Sequence, residues 1–265
     1  MDLQLRGRRA LLTGATGGIG VEIADVLAAE GVDIVLAARR PEPLEKLAAQ
    51  VAERHGVRAF AETVDVHDDA SVVRLVDRTV ELLGGVDILV NSASNQAVGR
   101  QMPRLADTSD AVFWEDYDTK VLGYLRTARA VAPHLVAQGW GRIINLGGSG
   151  ARETRSIVRT VRNVSVAALT KNLAEELGPH GVNCVVVHPG LTRTPQLSEE
   201  LATQAFRERR PLAELEHELG RNTLGRLVDA REVADVVAFL ASPRSVAING
   251  DPIPVEGGAR GVVHY

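Results

Sequence analysis

The chain is 265 residues long, with 45% apolar and 24% charged residues, a balance that suits a globular protein and excludes wholesale disorder. The 30 basic and 34 acidic side chains leave a net charge of −4, which gives no basic field for nucleic acid. No apolar run approaches the roughly 18 residues of a membrane span. The first residues lack the ordered zones of a secretory signal, and the single Cys184 can form no internal disulfide. A reducing, cytoplasmic setting without a membrane partner is the expectation.

Short apolar runs alternate with stretches of helical period, and no linker, repeat or composition break divides the chain. Arg9 to Leu12 reads as a first strand that runs into a glycine turn, followed by a helix from Ile19 to Glu30. Val32 to Ala38 reads as a strand, Pro43 to His55 as a helix, Ala59 to Val64 as a strand and Ser71 to Leu83 as a helix. A strand is expected over Val86 to Val90, one long helix over Asp110 to Gln138, and a strand over Arg142 to Leu146. Beyond these come a helix near Val158 to Leu177, a strand over Val182 to Val187, a helix over Ala230 to Leu240 and a strand over Pro252 to Val255. Such alternation predicts a doubly wound α/β fold, a mainly parallel sheet with helices on both faces. The unbroken apolar runs Val35-Leu36-Ala37 and Cys184 to Val187 fit strands buried on both sides. The expected organisation is one domain over 1–265, with a charged helical insertion at about 195–222, broken near Pro211, that would lid a substrate.

The turn Thr13-Gly14-Ala15-Thr16-Gly17-Gly18-Ile19-Gly20 joins the first strand to the first helix. Gly14 would permit the tight turn, Gly18 a close approach of backbone to a pyrophosphate, and Gly20 close packing of helix on strand. With Thr16 and Ile19 these residues form the candidate phosphate cradle, where the helix start offers free N–H groups and partial positive charge. At the end of the second strand, an NAD site would carry an acid to accept from the ribose 2′-hydroxyl. Ala38 stands there, and Arg39 follows at once. An arginine suits a 2′-phosphate through charge-assisted bonds, so NADP is expected over NAD. The alternative is a pair of solvated arginines, Arg39 and Arg40, ahead of Pro41.

Several motifs stand in the order of one family. They are the glycine turn, Asp65-Val66, Asp87 to Ala93, Gly141 to Asn145, His188-Pro189-Gly190 with Thr194, Gly225-Arg226 and Val255 to Gly258. On these the chain resembles the classical short-chain dehydrogenase/reductase family, a Rossmann-type single-domain fold, over nearly its whole length. The resemblance implies that Asp65 and Val66 hold the adenine and that Asn91 and Ala93 line the cofactor cleft. It also implies that Pro189, Gly190 and Thr194 position the nicotinamide, and that the protein is a homotetramer or homodimer acting on a small-molecule substrate.

The family's reductive chemistry uses a tyrosine acid, a lysine four residues later, a serine that orients the substrate carbonyl and an asparagine on an earlier helix. Register taken from Lys171 puts Asn163 at the lysine position and Arg159 at the tyrosine position. The strand-end pattern puts Gly148 at the serine position with Ser149 beside it, and the asparagine position reads Lys120. All four depart from the pattern. A guanidinium with pKa above about 12 is a poor general acid, although it can hold an anion or a carbonyl oxygen. Asn163 can still bond ribose hydroxyls. Lys120 has two roles open to it: an acid or base with a pKa lowered by burial near Arg159, or a space-filling residue bonded to a backbone carbonyl.

Among the 3 tyrosines, Tyr117 and Tyr124 flank Lys120 at helical spacing, with helix packing the alternative to a place in the site, and Tyr265 ends the chain. Arg152, Arg155, Arg159 and Arg162 would form a cationic stripe if their segment were helical, serving either an anionic group or solvation beside Glu153. The 7 histidines show no metal-ligand spacing, so no metal site is expected, and His188 reads as a packing residue or a partner of backbone. Three functions fit. The first is an NADP-dependent oxidoreductase acting on a carbonyl, alcohol or activated alkene, anionic or not, whose proton donor is Lys120, Ser149, Tyr124 or a bound water. The second is a catalytically silent nucleotide-binding subunit, and the third an isomerase or cyclase using Lys120 and Arg159.

Overall fold

In the computed structural model, which describes residues 1–94, 105–152, 154 and 156–261, the chain alternates strand and helix. The first half runs β1 (Arg9–Thr13), α1 (Gly18–Ala29), β2 (Asp33–Ala38), α2 (Pro41–His55), β3 (Ala59–Thr63), α3 (Asp69–Leu83) and β4 (Ile88–Asn91). The second continues with α4 (Asp110–Tyr117), α5 (Gly123–Gln138), β5 (Gly141–Leu146), α6 (Ile157–Leu177), β6 (Val182–Pro189), β7 (Thr192–Arg193), α7 (Pro195–Glu208) and α8 (Leu212–Leu219). It closes with β8 (Val228–Asp229), α9 (Ala230–Ala241) and β9 (Pro252–Val255). Seven strands pair in parallel in the order β3-β2-β1-β4-β5-β6-β9, the doubly wound arrangement expected from the sequence. Strand order reverses between β1 and β4, and a crevice opens there beyond the carboxyl ends of the strands.

Alternation of side chains explains how one apolar strand serves two cores. Ile34 and Leu36 join the layer containing α1, α2 and α9, while Val35 and Ala37 join the layer containing α3, α5 and α6. In the same way Ala10 and Leu12 face one side of the sheet and Leu11 the other. The helices begin on sequence signals: the Asp68 carboxylate accepts from the Ala70 N–H at 3.0 Å to cap α3, and Asp229 and Glu232 form a capping box on α9.

Two expectations change. The single helix expected over Asp110 to Gln138 is interrupted by a π-helical turn, Asp118–Leu122, between α4 and α5. The wider turn buries Thr119, Lys120 and Val121 in succession, and periodicity alone does not announce it. The arginine stripe is also divided. Ser156 caps α6, so Arg159 and Arg162 are helical, whereas Arg152 follows the 3-10 turn Ser149–Ala151. Arg155, Glu153 and Tyr265 lie outside the described residues. The charged insertion forms α7 and α8, separated at Pro211.

Gly20 shows how tightly α1 sits on β1, because a Cβ there would lie 2.4 Å from the Gly14 carbonyl oxygen and 3.0 Å from the Ala15 Cα. Both are backbone atoms that cannot swing aside. Gly20→Ala is therefore expected to lower unfolding free energy by about 1–3 kcal/mol, the range for overpacking a tight core, in urea denaturation.

Candidate cofactor cleft and active site

A cleft of about 530 Å³ opens at the reversal of strand order. Its walls are the turn residues Gly14, Thr16 and Gly17, the end of β2 at Ala38, Arg39 and Arg40, and Val64, Val66 and His67 after β3. Ser92, Ala93 and Ser94 after β4 and Thr119 from the π turn complete it. Gly14 takes φ 68° and lies against the β4 end so closely that a Cβ would stand 2.6 Å from the Ala93 nitrogen. Among the described residues the wall contains two arginines and no carboxylate. Together with the N–H groups at the start of α1, which a helix leaves without intrahelical acceptors, these groups fit a phosphate-bearing nucleotide.

The other proposed cofactor contacts are distributed more widely. Arg39, Val66 and Ala93 line the cleft with Gly14 and Thr16, whereas Gly18, Ile19 and Gly20 form the first turn of α1 behind its wall. A Cβ at Gly18 would meet the Thr194 side chain at 2.5 Å, so the observed close approach at this glycine is to Thr194, which also caps α7 through the Leu197 N–H. Asp65 is exposed and outside the wall, its carboxylate accepting from the His67 N–H at 3.0 Å. Pro189 ends β6, and Gly190 donates to the Val255 carbonyl at 3.0 Å, beyond the wall. Arg40, His67 and Thr119 line the cleft without having been singled out, and the His67 Nε2 and Thr119 Oγ1 are 2.7 Å apart. Adjacency to Arg39 was the available signal for Arg40; the His67–Thr119 contact joins segments 52 residues apart and had none.

Asn91 turns inward. Its Oδ1 accepts from Thr127 at 2.8 Å and from Thr13 at 3.3 Å, while its Nδ2 donates to Asn145 Oδ1 at 3.0 Å. Asn145 in turn donates to Thr170 Oγ1 at 2.9 Å. All are buried, so this polar chain ties β1, β4 and β5 to α5 and α6 just behind the strand ends.

Lys120, Gly148, Arg159 and Asn163 meet beyond the end of β5. Lys120 is buried, and its Nζ donates to the Gly147 carbonyl at 2.6 Å. Burial first, then the Arg162 and Arg159 charges, push its pKa well below the ordinary lysine range, against an opposing pull from Asp116. The amine thus has both the backbone bond of one expected role and the lowered pKa of the other. The Gly148 N–H donates to His188 Nδ1 at 3.0 Å. A Cβ on Gly147 would lie 2.3 Å from that same Nδ1, and a Cβ on Gly148 would lie 3.0 Å from Asn163 Nδ2. Asn163 is buried, and its Oδ1 has no partner among the described residues. Ser149 is half-buried at the start of the 3-10 turn.

Arg159 is half-buried on the first turn of α6, with its pKa lowered by burial and by Arg162. Arg162 is more deeply placed, and its Nη1 donates to both oxygens of Asp116 at 2.6 and 2.7 Å, pinning α4 to α6. Asp116 had no signal in the sequence that set it apart from other surface acids. Tyr124 is sealed in the core, where its hydroxyl donates to the Leu146 carbonyl at 3.1 Å and burial pushes its pKa up. Tyr117 stacks on Phe113 with ring centroids 5.8 Å apart. Cys184 is buried in the sheet, its thiol pushed up to about 12 by burial. Among the described residues no group of three His, Cys, Asp or Glu side chains could hold a metal.

Comparison with known proteins adds relatives to this geometry. A family model described as enoyl-(acyl carrier protein) reductase matches residues 14–260. Oxidoreductase UcpA of Escherichia coli (strain K12) is 33% identical over 259 residues, covering 97% of this chain and 95% of that protein. L-sorbose reductase from Gluconobacter frateurii, solved with NADPH and L-sorbose, superposes with a TM-score of 0.93 at 26% identity, covering 99% of this chain and 100% of that one. An NAD+-bound xylitol dehydrogenase superposes with a TM-score of 0.86 at 27% identity, covering 96% and 100%.

The pH dependence of stability follows from His188, whose pKa falls to about 4 because of burial first and then the Arg152 and Lys120 charges. Between about 6.5, the ordinary histidine value, and about 4, the unfolded chain binds a proton that the folded chain does not. Stability is therefore complete above pH 6.5 and drains away as pH falls, by about 3 kcal/mol over that window. Chemical denaturation at stepped pH is expected to show this slope in the wild type and to lose it in His188→Asn.

Proposed function

Because this chain belongs to the classical short-chain dehydrogenase/reductase family, we propose that it is an NADP(H)-dependent oxidoreductase with a proton donor other than the family's tyrosine. Its substrate is a small carbonyl, alcohol or activated alkene. The observation that carries this reading is the mutual fit of the altered residues. Lys120 bonds Gly147, His188 occupies the space a side chain at 147 would need, and Asn163 borders Gly148. These contacts join the π turn, the loop after β5, α6 and β6 at one point.

When bound, a nicotinamide cofactor supplies the hydride. Thr16, Gly17 and the start of α1 hold its phosphates, Arg39 and Arg40 take the 2′-phosphate, Val66 borders the adenine and Asn163 bonds the ribose. Asp65 contributes by shaping the His67 turn. Lys120 Nζ holds the exchangeable proton, and the Ser149 hydroxyl or a bound water carries it to the substrate oxygen. The Arg159 guanidinium holds negative charge developing on that oxygen or carried by an anionic substrate. Pro189, Gly190 and Thr194 back the nicotinamide. Ile157, Val161 and Val164 form an exposed apolar row on α6 that supports assembly as a homodimer or homotetramer. A cytoplasmic setting accords with the single buried thiol of Cys184.

A silent nucleotide-binding subunit is the second reading, favoured by the sealed Asn163 Oδ1 and the sealed phenol of Tyr124. Fluorescence titration is expected to give NADPH at least about tenfold tighter than NADH, with the difference cancelled in Arg39→Ala/Arg40→Ala. Equal or reversed affinity would refute the NADP assignment. Turnover with NADPH against carbonyls and activated alkenes decides between the two readings. In the active case Lys120→Met is expected to lower kcat by about 10²–10⁴ while cofactor affinity stays within about twofold. Unchanged kcat would remove Lys120 from the proton path.

A further inference from the structure

One peptide unit beyond β5 is gripped at both ends by buried side chains. Its carbonyl, from Gly147, accepts from Lys120 Nζ at 2.6 Å, and its N–H, from Gly148, donates to His188 Nδ1 at 3.0 Å. Lys120 comes from the π turn and His188 from the penultimate position of β6, so the peptide is fixed between two elements that do not belong to its own loop. Both side chains are at least nine-tenths buried, at 4% and 1% exposure. We infer that His188 is a positioning residue, which with Lys120 locks the Gly147–Gly148 peptide and so sets the direction of Ser149 toward the substrate.

The chemistry of the imidazole supports this. A ring that accepts at Nδ1 must be neutral and carry its proton on Nε2. Burial with Arg152 and Lys120 nearby keeps it neutral down to about pH 4. The two glycines have matching reasons: at 147 a Cβ would strike the imidazole, and at 148 it would press on the Asn163 amide. Ser149 is the next residue, and no turn of free chain separates its Cα from the gripped peptide. The grip is a claim about geometry; its catalytic consequence rests on the oxidoreductase reading.

The test separates the two. Hydrogen exchange followed by mass spectrometry on the segment 146–152 compares the wild type with His188→Leu, which removes the acceptor, and with His188→Asn, whose Oδ1 can stand in for Nδ1. Exchange in this segment is expected to rise about tenfold in His188→Leu and to stay near the wild-type rate in His188→Asn, with the cores of β4 and β5 unchanged. Gly147→Ala, which displaces the imidazole, is expected to give the same rise if the leucine variant folds poorly. Wild-type exchange in His188→Leu and Gly147→Ala overturns the grip, whether or not the protein turns over any substrate. With a substrate in hand, kcat is expected to fall at least about tenfold in His188→Leu, NADPH affinity to hold within about twofold, and His188→Asn to recover most of kcat. An unchanged kcat in His188→Leu, or an equal loss in His188→Asn, overturns the positioning role even where the grip is present.

Discussion

A lysine amine taken out of water has to find an acceptor, and beyond the end of β5 the Gly147 carbonyl provides it at 2.6 Å. That bond orients one peptide, and the peptide's N–H then needs an acceptor of its own, which His188 supplies. Once the imidazole stands there, residue 147 can carry no side chain. The Asn163 amide likewise crowds the Cα of Gly148. Residues from the π turn, the β5 loop, α6 and β6 therefore determine one another, and a change at any of them is felt at the others.

The same constraint governs charge. Helix α6 carries Arg159, Arg162 and Asn163, and Lys120 approaches from the π turn opposite. Arg162 and Asp116 neutralise each other across α4 and α6, but the remaining positive field and burial still disfavour the ammonium form of Lys120. A buried amine with lowered proton affinity gives up a proton more readily than an exposed lysine does. The cofactor cleft answers to separate demands. Its arginines stand at the end of β2 and its glycines in the turn after β1, at a distance along the chain from the residues gathered beyond β5.

Much of the frame was legible in the sequence. Strands β1, β4 and β6 have apolar central residues because helices cover both faces, and helices α2, α3 and α5 stop at glycines. Motif register puts Lys120, Ser149, Arg159 and Asn163 in one region, and the structure has all four beyond the end of β5. The rest was hidden. Asp116 and Arg162 are 46 residues apart, Gly148 and His188 are 40 apart, and nothing local marks either pair. The π turn escaped because one extra residue in a helix leaves the apolar pattern nearly intact. The arginine stripe was drawn too long because the cap at Ser156 starts α6 after Arg152. Nor does the sequence show that the Asp65 carboxylate accepts from the His67 N–H or that Asn91 donates to Asn145, because these bonds depend on which neighbour each polar group reaches.

What the sequence determined by itself was the layered α/β frame and the glycine turn between the first strand and the first helix. These are properties of runs and spacings along one chain, and burial on a sheet or a helix face imposes them locally. Only the tertiary structure decided that Lys120 would bond a backbone carbonyl, that His188 would hold the same peptide from the other side, and that Tyr124 would be closed off in the core. Those outcomes turn on which donors and acceptors are brought within about 3 Å by packing between distant segments, a distance that spacing along the chain does not encode.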